Sequence, residues 1–525
     1  MVVAMTVGVV AVYLLRLDEA AGLYKDDAYY MVLAKGLASG DGYALTSSAA
    51  SPILPAFPPG FPLLLAPVFA IAPNYPDNVL WLKLISVAAM IGAGALTYRY
   101  FAGYRQLDRG KAATIALLTA LTPSFVFLAT STVMSECVFT LAMMASVVAL
   151  ERAARAEDLT RARRDTAVAA VATTAAWLVR APGAAFVAGG ALFLLWKRGW
   201  RTSLGFIAVC AIAYAPWAAY GAAHRSTNAE RVAHGGSVAY TYVELMLTRY
   251  GGDLRTGTVT IGELPARVAA NFVNVFGHDM GAIVFPAGYR DASESGLEVF
   301  MLTGQTGFNA GSMGLGTGVV ILSAIATVLV LIGFRTFSRP VGAAEFFCAV
   351  MIALILLIPP ARTYRYVLPL APFLLAYFLA GVESLASWLR AGSGAPVVRI
   401  VAACLVFFLA LEHGQYIWQK VNGPPPPWIA DGREVRTVTD FINRHVPAEG
   451  SAVSTNPALL YLLTGHKAVV YVDSTDLWKE WRARGIQYAV ALNQAPRPNR
   501  RMGYRVLHES SRLKLWVLEL DTGEP

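Results

Sequence analysis

The stretch LWLKLISVAAMIGAGALTYRY, Leu80 to Tyr100, is a run of mostly apolar residues that holds one lysine and ends beside an arginine. A helix needs about 20 such residues to cross the roughly 30 Å hydrocarbon core of a bilayer, so this stretch predicts a membrane span. Apolar runs of similar length recur along most of the chain. The sequence therefore predicts a polytopic α-helical membrane protein.

Composition and charge agree with this interpretation. The chain has 525 residues, of which 56% are hydrophobic and 15% are charged, whereas soluble domains carry about 25% charged residues. The formal charge of +9 comes from arginines and lysines grouped in short loops between apolar runs. This is the positive-inside pattern of membrane proteins, so we expect no nucleic-acid partner. The cysteines lie inside apolar segments and are expected to be small buried hydrophobes: Cys137, Cys210, Cys348 and Cys404.

We expect about eleven spans, beginning with an uncleaved first helix at Met1–Leu15 and an N-terminus on the inner side. The segment Pro58–Pro73 is apolar but short and interrupted by prolines, so we interpret it as interfacial. If Pro58–Pro73 does not cross the membrane, all of the basic loops lie on the inner side, as the positive-inside rule requires. The other predicted spans are Leu80–Tyr100, Ala112–Thr130, Val133–Leu150, Thr166–Val179, Ala181–Trp196, Leu204–Ala223, Leu315–Phe334, Ala343–Ile358, Val367–Leu389 and Val397–Leu411.

The chain divides into a membrane domain, 1–413, with external loops 17–79 and 224–314, and a C-terminal domain, 414–525. The domain boundary is marked by GPPPPW, Gly423–Trp428, which predicts a stiff linker. Strands and helices alternate after it, which predicts a small α/β domain, and an odd number of spans places that domain outside the membrane. The predicted helices are Val435–Val446, Ala458–Leu463 and Asp476–Arg484, and the predicted strands are Ser451–Thr455, Ala468–Val472, Ile486–Leu492 and Leu513–Leu520.

An acidic pair lies just beyond the first apolar segment, in YKDDAYYMVLAKGLASGDGY, Tyr24 to Tyr43. Asp26 and Asp27 open a stretch whose apolar residues recur at helical spacing, which predicts an amphipathic helix at the membrane interface. The N-terminus of a helix favours carboxylates electrostatically. A capping role therefore explains the pair as well as a catalytic role does.

A set of short motifs in this region resembles the first external loop of GT-C glycosyltransferases. DDAYY is followed by LAKGL, then by GDGY, and then by PPGFPLLLAP. Each motif is short, and their order along the chain carries the resemblance. Members of this superfamily use polyprenyl-phosphate sugars and include protein mannosyltransferases and lipid A aminoarabinose transferases. A bacterial branch described as RgtA-like or mannosyltransferase-like is a looser match. The predicted architecture, with many spans and an outer α/β domain, is similar to theirs.

The resemblance implies an integral glycosyltransferase of the cell membrane. Such an enzyme would transfer a sugar from a polyprenyl-phosphate donor to a glycan, lipid or protein acceptor on the outer face. Asp26 would be the general base of an inverting displacement, and Asp27 would orient Asp26 or the acceptor. Tyr30 matches the aromatic residue four positions after the first acid, which implies contact with substrate. No cofactor is expected, although a divalent metal at Asp26 and Asp27 stays open.

Further candidates for substrate binding lie near other predicted helix ends. Arg362 and Arg365, in IPPARTYRYVLPLAP, could hold the leaving phosphate, or they could reach lipid headgroups as surface arginines do. The resemblance favours Arg365. Glu136, in LATSTVMSECVF, matches a second acidic position of GT-C enzymes, and a solvated turn residue is the alternative. Arg180, in WLVRAPG, either binds substrate or ends a helix.

Two functions of other classes remain open at this stage. A flippase or transporter of lipid-linked sugars would predict internal repeats and broken helices with charges near the middle of the membrane. The sequence has no evident repeat, and its charges lie at predicted helix ends. A non-catalytic scaffold that displays the C-terminal domain would leave the external aspartate and arginine pairs unexplained. Turnover of a labelled donor separates these alternatives from the enzyme.

Overall fold

A computed structural model gives the fold of most of the chain. The described residues are 2–48, 51–225, 241–249, 257–285, 317–338, 340–359, 363–390, 392–447, 452–471, 475–492, 497–499, 502–510 and 513–521. The predicted site residue Arg362 lies outside them, as does much of the predicted loop 224–314.

Helices dominate the first 422 residues. The α-helices are α1 Val2–Arg16, α2 Lys25–Ser39, α3 Gly60–Ile71, α4 Val79–Arg99, α5 Arg109–Ala120, α6 Pro123–Thr130, α7 Glu136–Arg155, α8 Leu159–Val179, α9 Ala184–Arg198, α10 Trp200–Ala223, α11 Tyr242–Leu247, α12 Leu264–Asn274, α13 Met280–Val284, α14 Thr317–Phe337, α15 Ala343–Leu357, α16 Thr363–Val367, α17 Ala371–Arg390 and α18 Ala395–Asn422. Short 3-10 segments occupy Ala181–Gly183, Ile261–Glu263 and Leu368–Leu370, and π-helical turns occupy Tyr100–Tyr104 and Val275–Asp279.

Within the described residues, five helices are long and apolar enough to cross a membrane. They are Val79–Tyr104, Glu136–Arg155, Trp200–Ala223, Tyr364–Leu389 and Ala395–Asn422. A sixth is added if α5 and α6 form one span, although they are bent by 49° at a short break. The chain is thus a helical protein with several apolar spans, while the finer count of about eleven is not confirmed.

The break between α5 and α6 corrects the predicted single helix Ala112–Thr130. Pro123 lacks a backbone N–H and disfavours helical backbone in the residue before it. Thr122 accordingly leaves the helical region, with ψ 121°, and Pro123 begins a new helix. This break turns the chain before it reaches Glu136, the first residue of α7.

Two glycines let α14 and α17 cross closely. A Cβ atom on Gly333 would collide with the carbonyl oxygen of Tyr377, and one on Gly381 would collide with that of Leu329. Small residues at crossing points allow membrane helices to pack backbone against backbone. The crossing anchors α17, and the chain enters this helix through the short helix α16, which carries Arg365, and the 3-10 segment Leu368–Leu370.

The acidic segment folds as the sequence predicts. Helix α2 begins directly after Tyr24 and ends at Gly40, whose φ of +83° suits a residue without a side chain. The interfacial segment forms α3, which has 12 residues and contains Pro67. It is too short for a span of about 20 residues. Helices α2 and α3 pack against each other, with Tyr30 edge-on to Phe61.

The C-terminal region contains three helices, α19 Pro427–His445, α20 Pro457–Thr464 and α21 Thr475–Ala483. They surround one five-stranded sheet with the order β2-β1-β3-β5-β4. The strands are β1 Ala452–Ser454, β2 Ala468–Val470, β3 Tyr488–Ala491, β4 Tyr504–Ser510 and β5 Leu515–Leu520. Strand β1 pairs in parallel with β2 and β3, and β5 pairs antiparallel with β3 and β4.

The predicted α/β domain is therefore confirmed, with two differences. Strand β4 was not predicted, because YRVLHES lies at the sheet edge, is mostly half-exposed, and lacks the apolar run of a central strand. Helix α18 continues beyond the predicted Leu411 to Asn422, and α19 already begins at Pro427. The predicted linker is thus short. The division of the chain at residue 413 stays a prediction.

This small domain packs on the acidic segment. The Nδ2 atom of Asn456 donates to the carbonyl of Gly22 at 2.8 Å, and the backbone N–H of Ala468 donates to the carbonyl of Ser47 at 2.8 Å. Leu459, in α20, fills the space beside Gly22. The segment that carries Asp26 is therefore held between the helices and the sheet.

Candidate functional site

Asp26 lies in the first turn of α2 and faces an arginine that is far away in sequence. Its Oδ2 atom is 3.0 Å from Nη1 of Arg365. The Asp26 side chain is 33% exposed, whereas that of Arg365 is 13% exposed. The pair joins the start of α2 to the turn before α17, and it leaves part of the carboxylate accessible.

Arg365 also binds Glu136, the first residue of α7. Its Nε and Nη2 atoms donate to Glu136 Oε1 at 2.9 and 2.6 Å. Arg180 donates to the same oxygen from Nη1 at 2.6 Å. Glu136 is fully buried. Its other oxygen, Oε2, has no hydrogen-bond partner in the described part of the chain.

Arg180 reaches this position because α8 ends one residue before it. Its backbone is extended, with φ −147° and ψ 136°, and the following Ala181–Gly183 turn packs back on the end of α8, with Gly183 against Trp177. Nη1 of Arg180 also donates to Ser135 Oγ at 3.2 Å. The Ser135 hydroxyl in turn donates to Tyr30 Oη at 2.9 Å.

Tyr30 is held by aromatic packing against the interfacial segment. Its ring lies edge-on to Phe57 and Phe61, with centroid distances of 5.1 and 5.0 Å. Burial raises the pKa of Tyr30 to about 12, so the phenol keeps its proton at neutral pH. Its hydroxyl is 2.9 Å from Ser135 Oγ, which Arg180 also contacts.

Asp27 has different surroundings from Asp26. It is fully buried, and its carboxylate accepts the backbone N–H groups of Gly22, Tyr24 and Ala28 at 2.7, 3.0 and 2.9 Å. Burial raises the pKa of Asp27 to about 7, and the N–H donors of Gly22 and Ala28 oppose that rise. Asp27 therefore holds the turn that leads into α2, while the Asp26 side chain faces Arg365.

The structure brings most of the predicted site residues together. We use the name Arg365 cluster for Asp26, Glu136, Arg180 and Arg365. Tyr30 joins it through Ser135, and Asp27 supports it from the adjacent backbone. The interpretation of Glu136 as a solvated turn residue is wrong because the residue is fully buried. The side chain of Arg365 turns inward to two carboxylates rather than outward to headgroups.

A buried ion pair near the site was not singled out from the sequence. Lys83 Nζ lies 2.9 Å from Asp18 Oδ1, and both side chains are almost completely buried. The other oxygen of Asp18 accepts hydrogen bonds from Ser131 at 2.5 Å and from Trp428 at 3.2 Å. The sequence feature that could have predicted this pair is the position of Lys83 inside an apolar run, because a lysine in such a run usually has a buried partner. This pair ties α4 to the start of the C-terminal domain.

The contacts of the acidic pair are with N–H donors of the protein. Both oxygens of Asp27 are used by backbone N–H groups, and the guanidinium of Arg365 occupies the position beside Asp26 Oδ2 where a cation would bind. Among the described residues, no group of three or more His, Cys, Asp and Glu side chains is arranged to hold an ion. The cluster itself combines two guanidinium groups with two carboxylates.

Solved structures of two membrane enzymes share this fold. ArnT from Cupriavidus metallidurans bound to undecaprenyl phosphate matches with a TM-score of 0.54 and 13% identity, over 99% of this chain and 97% of ArnT. The archaeal oligosaccharyltransferase AglB from Archaeoglobus fulgidus, in complex with an inhibitory peptide and a dolichol-phosphate, matches with a TM-score of 0.55 and 12% identity. That match covers 93% of this chain and 69% of AglB.

Another structure of the Archaeoglobus fulgidus oligosaccharyltransferase, in complex with zinc and sulfate, matches with a TM-score of 0.59 and 11% identity, over 93% of this chain and 67% of that one. No family model and no curated protein sequence matches the chain. The structural neighbours are GT-C glycosyltransferases. The predicted resemblance to that superfamily is thereby confirmed at the level of the fold.

Proposed function

We propose that the chain is an integral membrane glycosyltransferase that takes a sugar from a polyprenyl-phosphate donor. The acceptor is a glycan, a lipid or a protein on the outer face of the cell membrane, where the C-terminal domain also lies. The fold of the structural neighbours supports this class of reaction. The observation that carries the proposal is the Arg365 cluster. In it the partly exposed carboxylate of Asp26 contacts Arg365, and the buried carboxylate of Glu136 holds both Arg365 and Arg180.

In the proposed reaction, Asp26 is the general base. An acceptor hydroxyl attacks the anomeric carbon of the donor, and the bond from that carbon to the phosphate oxygen breaks on the opposite face. The hydroxyl proton passes to the Asp26 carboxylate, and the electron pair of the broken bond stays with the phosphate. The products are the inverted glycoside and polyprenyl phosphate. A positioned base of this kind contributes about 10²–10⁴-fold to a rate.

Arg365 and Arg180 are suited to the phosphate that carries the developing charge. Guanidinium groups bind phosphate oxygens through paired hydrogen bonds, and preorganised donors stabilise charge that grows in the transition state. Glu136 keeps both arginines aimed at one point, because a single oxygen accepts from each of them. The other oxygen of Glu136, Oε2, is buried and has no hydrogen-bond partner among the described residues.

The proposed reaction needs no cofactor. Three backbone N–H groups bind Asp27, and Arg365 binds one oxygen of Asp26, so a divalent ion at this pair would have to displace these donors. We therefore expect that removal of divalent metals with EDTA leaves the transfer rate unchanged. A rate that falls with EDTA and returns with added metal would contradict this part of the proposal.

The test uses purified protein, a panel of radiolabelled polyprenyl-phosphate hexoses and pentoses, and a membrane extract as the source of acceptor. The wild-type protein should release polyprenyl phosphate and label an acceptor. The Asp26→Asn variant should insert and fold normally but lose transfer by about 10²–10⁴-fold, because the amide cannot take the proton. Full activity in a folded Asp26→Asn protein would exclude Asp26 as the base.

Asp41→Asn is the matched control. Asp41 is an exposed carboxylate in the same external segment, just after α2, and its loss should leave the rate unchanged. The alternative functions give different results in the same assay. Uptake of labelled donor into protein-containing vesicles without turnover would indicate a flippase. If no donor of the panel is either taken up or turned over, the result would favour a scaffold.

A further inference from the structure

The turn before Asp26 is held from two sides. On one side, Asp27 Oδ2 accepts the backbone N–H of Gly22 at 2.7 Å. On the other side, Asn456 Nδ2 donates to the carbonyl oxygen of the same glycine at 2.8 Å. Both side chains are fully buried. A single residue of the turn, Gly22, thus connects the acidic pair to the C-terminal domain.

Asn456 is rigidly placed for this contact. It is the residue before α20, and its Oδ1 atom accepts the backbone N–H of Leu459 at 3.2 Å, which caps the helix. Its own backbone N–H donates to Ser454 Oγ at 3.1 Å, and Ser454 lies in strand β1, between β2 and β3. Because the cap fixes Oδ1, the amide Nδ2 is directed to Gly22.

The turn accepts this close approach only because residue 22 is glycine. Its φ of +78° suits glycine, and a Cβ atom there would lie 2.7 Å from Leu459 Cδ1. The neighbouring carbonyl of Ala21 accepts a hydrogen bond from the hydroxyl of Tyr75 at 2.7 Å. The turn is therefore fitted to α20 by its backbone, and a shift of α20 would move the turn.

We propose that Asn456 is a positioning residue for the transfer reaction, acting through Gly22 and Asp27 on the orientation of Asp26. This inference rests on the proposed function, because it needs Asp26 to be the base. The hydrogen bonds of Asn456 described above go to Gly22, Leu459 and Ser454. Its effect is to fix the start of α2, so that the Asp26 carboxylate keeps its place beside Arg365, 3.0 Å away.

The consequence is that the C-terminal domain belongs to the catalytic apparatus. The chain separation between Asn456 and Gly22 is 434 residues, so the contact forms only when the domain is docked. Small displacements of a base reduce the rate without preventing substrate binding, since catalysis requires a precise approach of the reacting atoms. Loss of this contact should therefore act on kcat more than on the KM for the donor.

Asn456→Ser tests the contact while it keeps the helix cap. Serine caps helices as well as asparagine does, but its hydroxyl is too short to reach Gly22. The backbone contact between Ala468 and Ser47 keeps the domain docked in the variant. Thr464→Val is the matched control, because Thr464 lies at the other end of the same helix and bonds only within the C-terminal domain.

We expect Asn456→Ser to lower kcat roughly tenfold, with the donor KM changed less than about twofold. Amide hydrogen exchange of the peptide covering residues 20–28 should become faster in Asn456→Ser and stay unchanged in Thr464→Val. An unchanged kcat, an unchanged exchange rate in this peptide, or an equal loss in Thr464→Val would overturn the inference.

The exchange measurement separates this inference from the proposed function. If the wild-type protein turns over no donor of the panel, the proposed function fails, and with it the catalytic consequence of the contact. The exchange rates still decide whether Asn456 holds the turn. If the wild-type protein is active and Asn456→Ser is equally active, the positioning role fails while the proposed function stands.

Discussion

Two buried ion networks lie at opposite ends of α7, and they differ in how much of their charge the protein leaves exposed. The Arg365 cluster joins the starts of α2 and α7 and the end of α8 to α16. A second network, here called the Glu345 cluster, comprises Arg105, Glu151, Glu345 and Tyr377. It joins the chain after α4 and the C-terminal part of α7 to α15 and α17. Both networks assemble charges from distant parts of the chain.

The carboxylate at the centre of the Glu345 cluster is fully used by the protein. Glu345 accepts the backbone N–H of Gly342 at 2.7 Å and the hydroxyl of Tyr377 at 3.1 Å, and it pairs with Arg105 at 3.3 Å. Arg105 also donates to the carbonyl of Pro340 at 2.9 Å. Such a network holds helices together.

The Arg365 cluster, by contrast, is incomplete. Asp26 is one-third exposed, and Glu136 has a buried oxygen without a partner among the described residues. A buried acceptor without a partner is costly, and a bound ligand would satisfy it. The partly exposed carboxylate of Asp26 is the difference from the Glu345 cluster on which the proposed site rests.

The largest effect in this comparison should come from Arg365→Ala. Removal of one preorganised cation should lower the transfer rate by about 10²–10³-fold. The matched control is Arg105→Ala, which removes a buried arginine of the Glu345 cluster. It should lower thermal stability and leave kcat per folded molecule unchanged. Equal losses of kcat in the two variants would mean that the two clusters do not differ in role.

The next effect should be a loss of stability in Glu345→Gln. The change removes the carboxylate that is paired with Arg105, which costs up to about 3 kcal/mol in the free energy of unfolding. The thermal midpoint in detergent should fall, with kcat per folded molecule unchanged. Glu383→Gln is the control, since the pair of Glu383 with Lys111 is one-third exposed and exposed pairs contribute at most about 1 kcal/mol.

A smaller effect is expected from Asp27→Asn. The amide replaces an oxygen by an N–H donor opposite the backbone N–H groups that Asp27 accepts. Loss of one such bond costs about 1–2 kcal/mol, measured as a lower thermal midpoint. Asp26→Asn should leave the midpoint near that of the wild type. A reversed order of the two midpoints would contradict the distinction between the neighbouring aspartates.

We also expect Asp27 to make the stability of the protein depend on pH. The pKa of Asp27 rises from its ordinary value of 3.8 to about 7 in the folded protein, so the folded state binds this proton more tightly than the unfolded chain does. The stability that the proton contributes is complete below about pH 4 and is lost as pH rises through about 7. Between these limits the slope reaches about 1.4 kcal/mol per pH unit. Asp27→Asn should remove this contribution to the slope of the free energy of unfolding against pH. An identical slope in the variant and the wild type would refute the raised pKa of Asp27.

The sequence predicts those parts of the site that depend on local features. Asp26, Glu136 and Arg180 each lie at the end of a helix, where a charged residue next to an apolar run is conspicuous in the chain itself. Asn456 offered no such signal, because an asparagine before a helix is common as a cap. Its contact with Gly22 depends on how the C-terminal domain docks. The break before Pro123 could have been predicted from the proline itself. The long apolar run around it instead favoured one continuous helix, Ala112–Thr130.

The sequence by itself determined that this chain is a helical membrane protein with a small α/β domain, and that α2 begins at the acidic pair. Hydrophobic run length and helix-end chemistry act over a few neighbouring residues, so they can be recognised in the chain. Only the tertiary structure decided that Asp26 faces Arg365, 339 residues away, and that Asp27 faces the backbone. Both aspartates have the same chemistry and adjacent positions. One turn of the backbone at Gly22 buries one and leaves the other accessible, and that turn is set by contacts between distant segments.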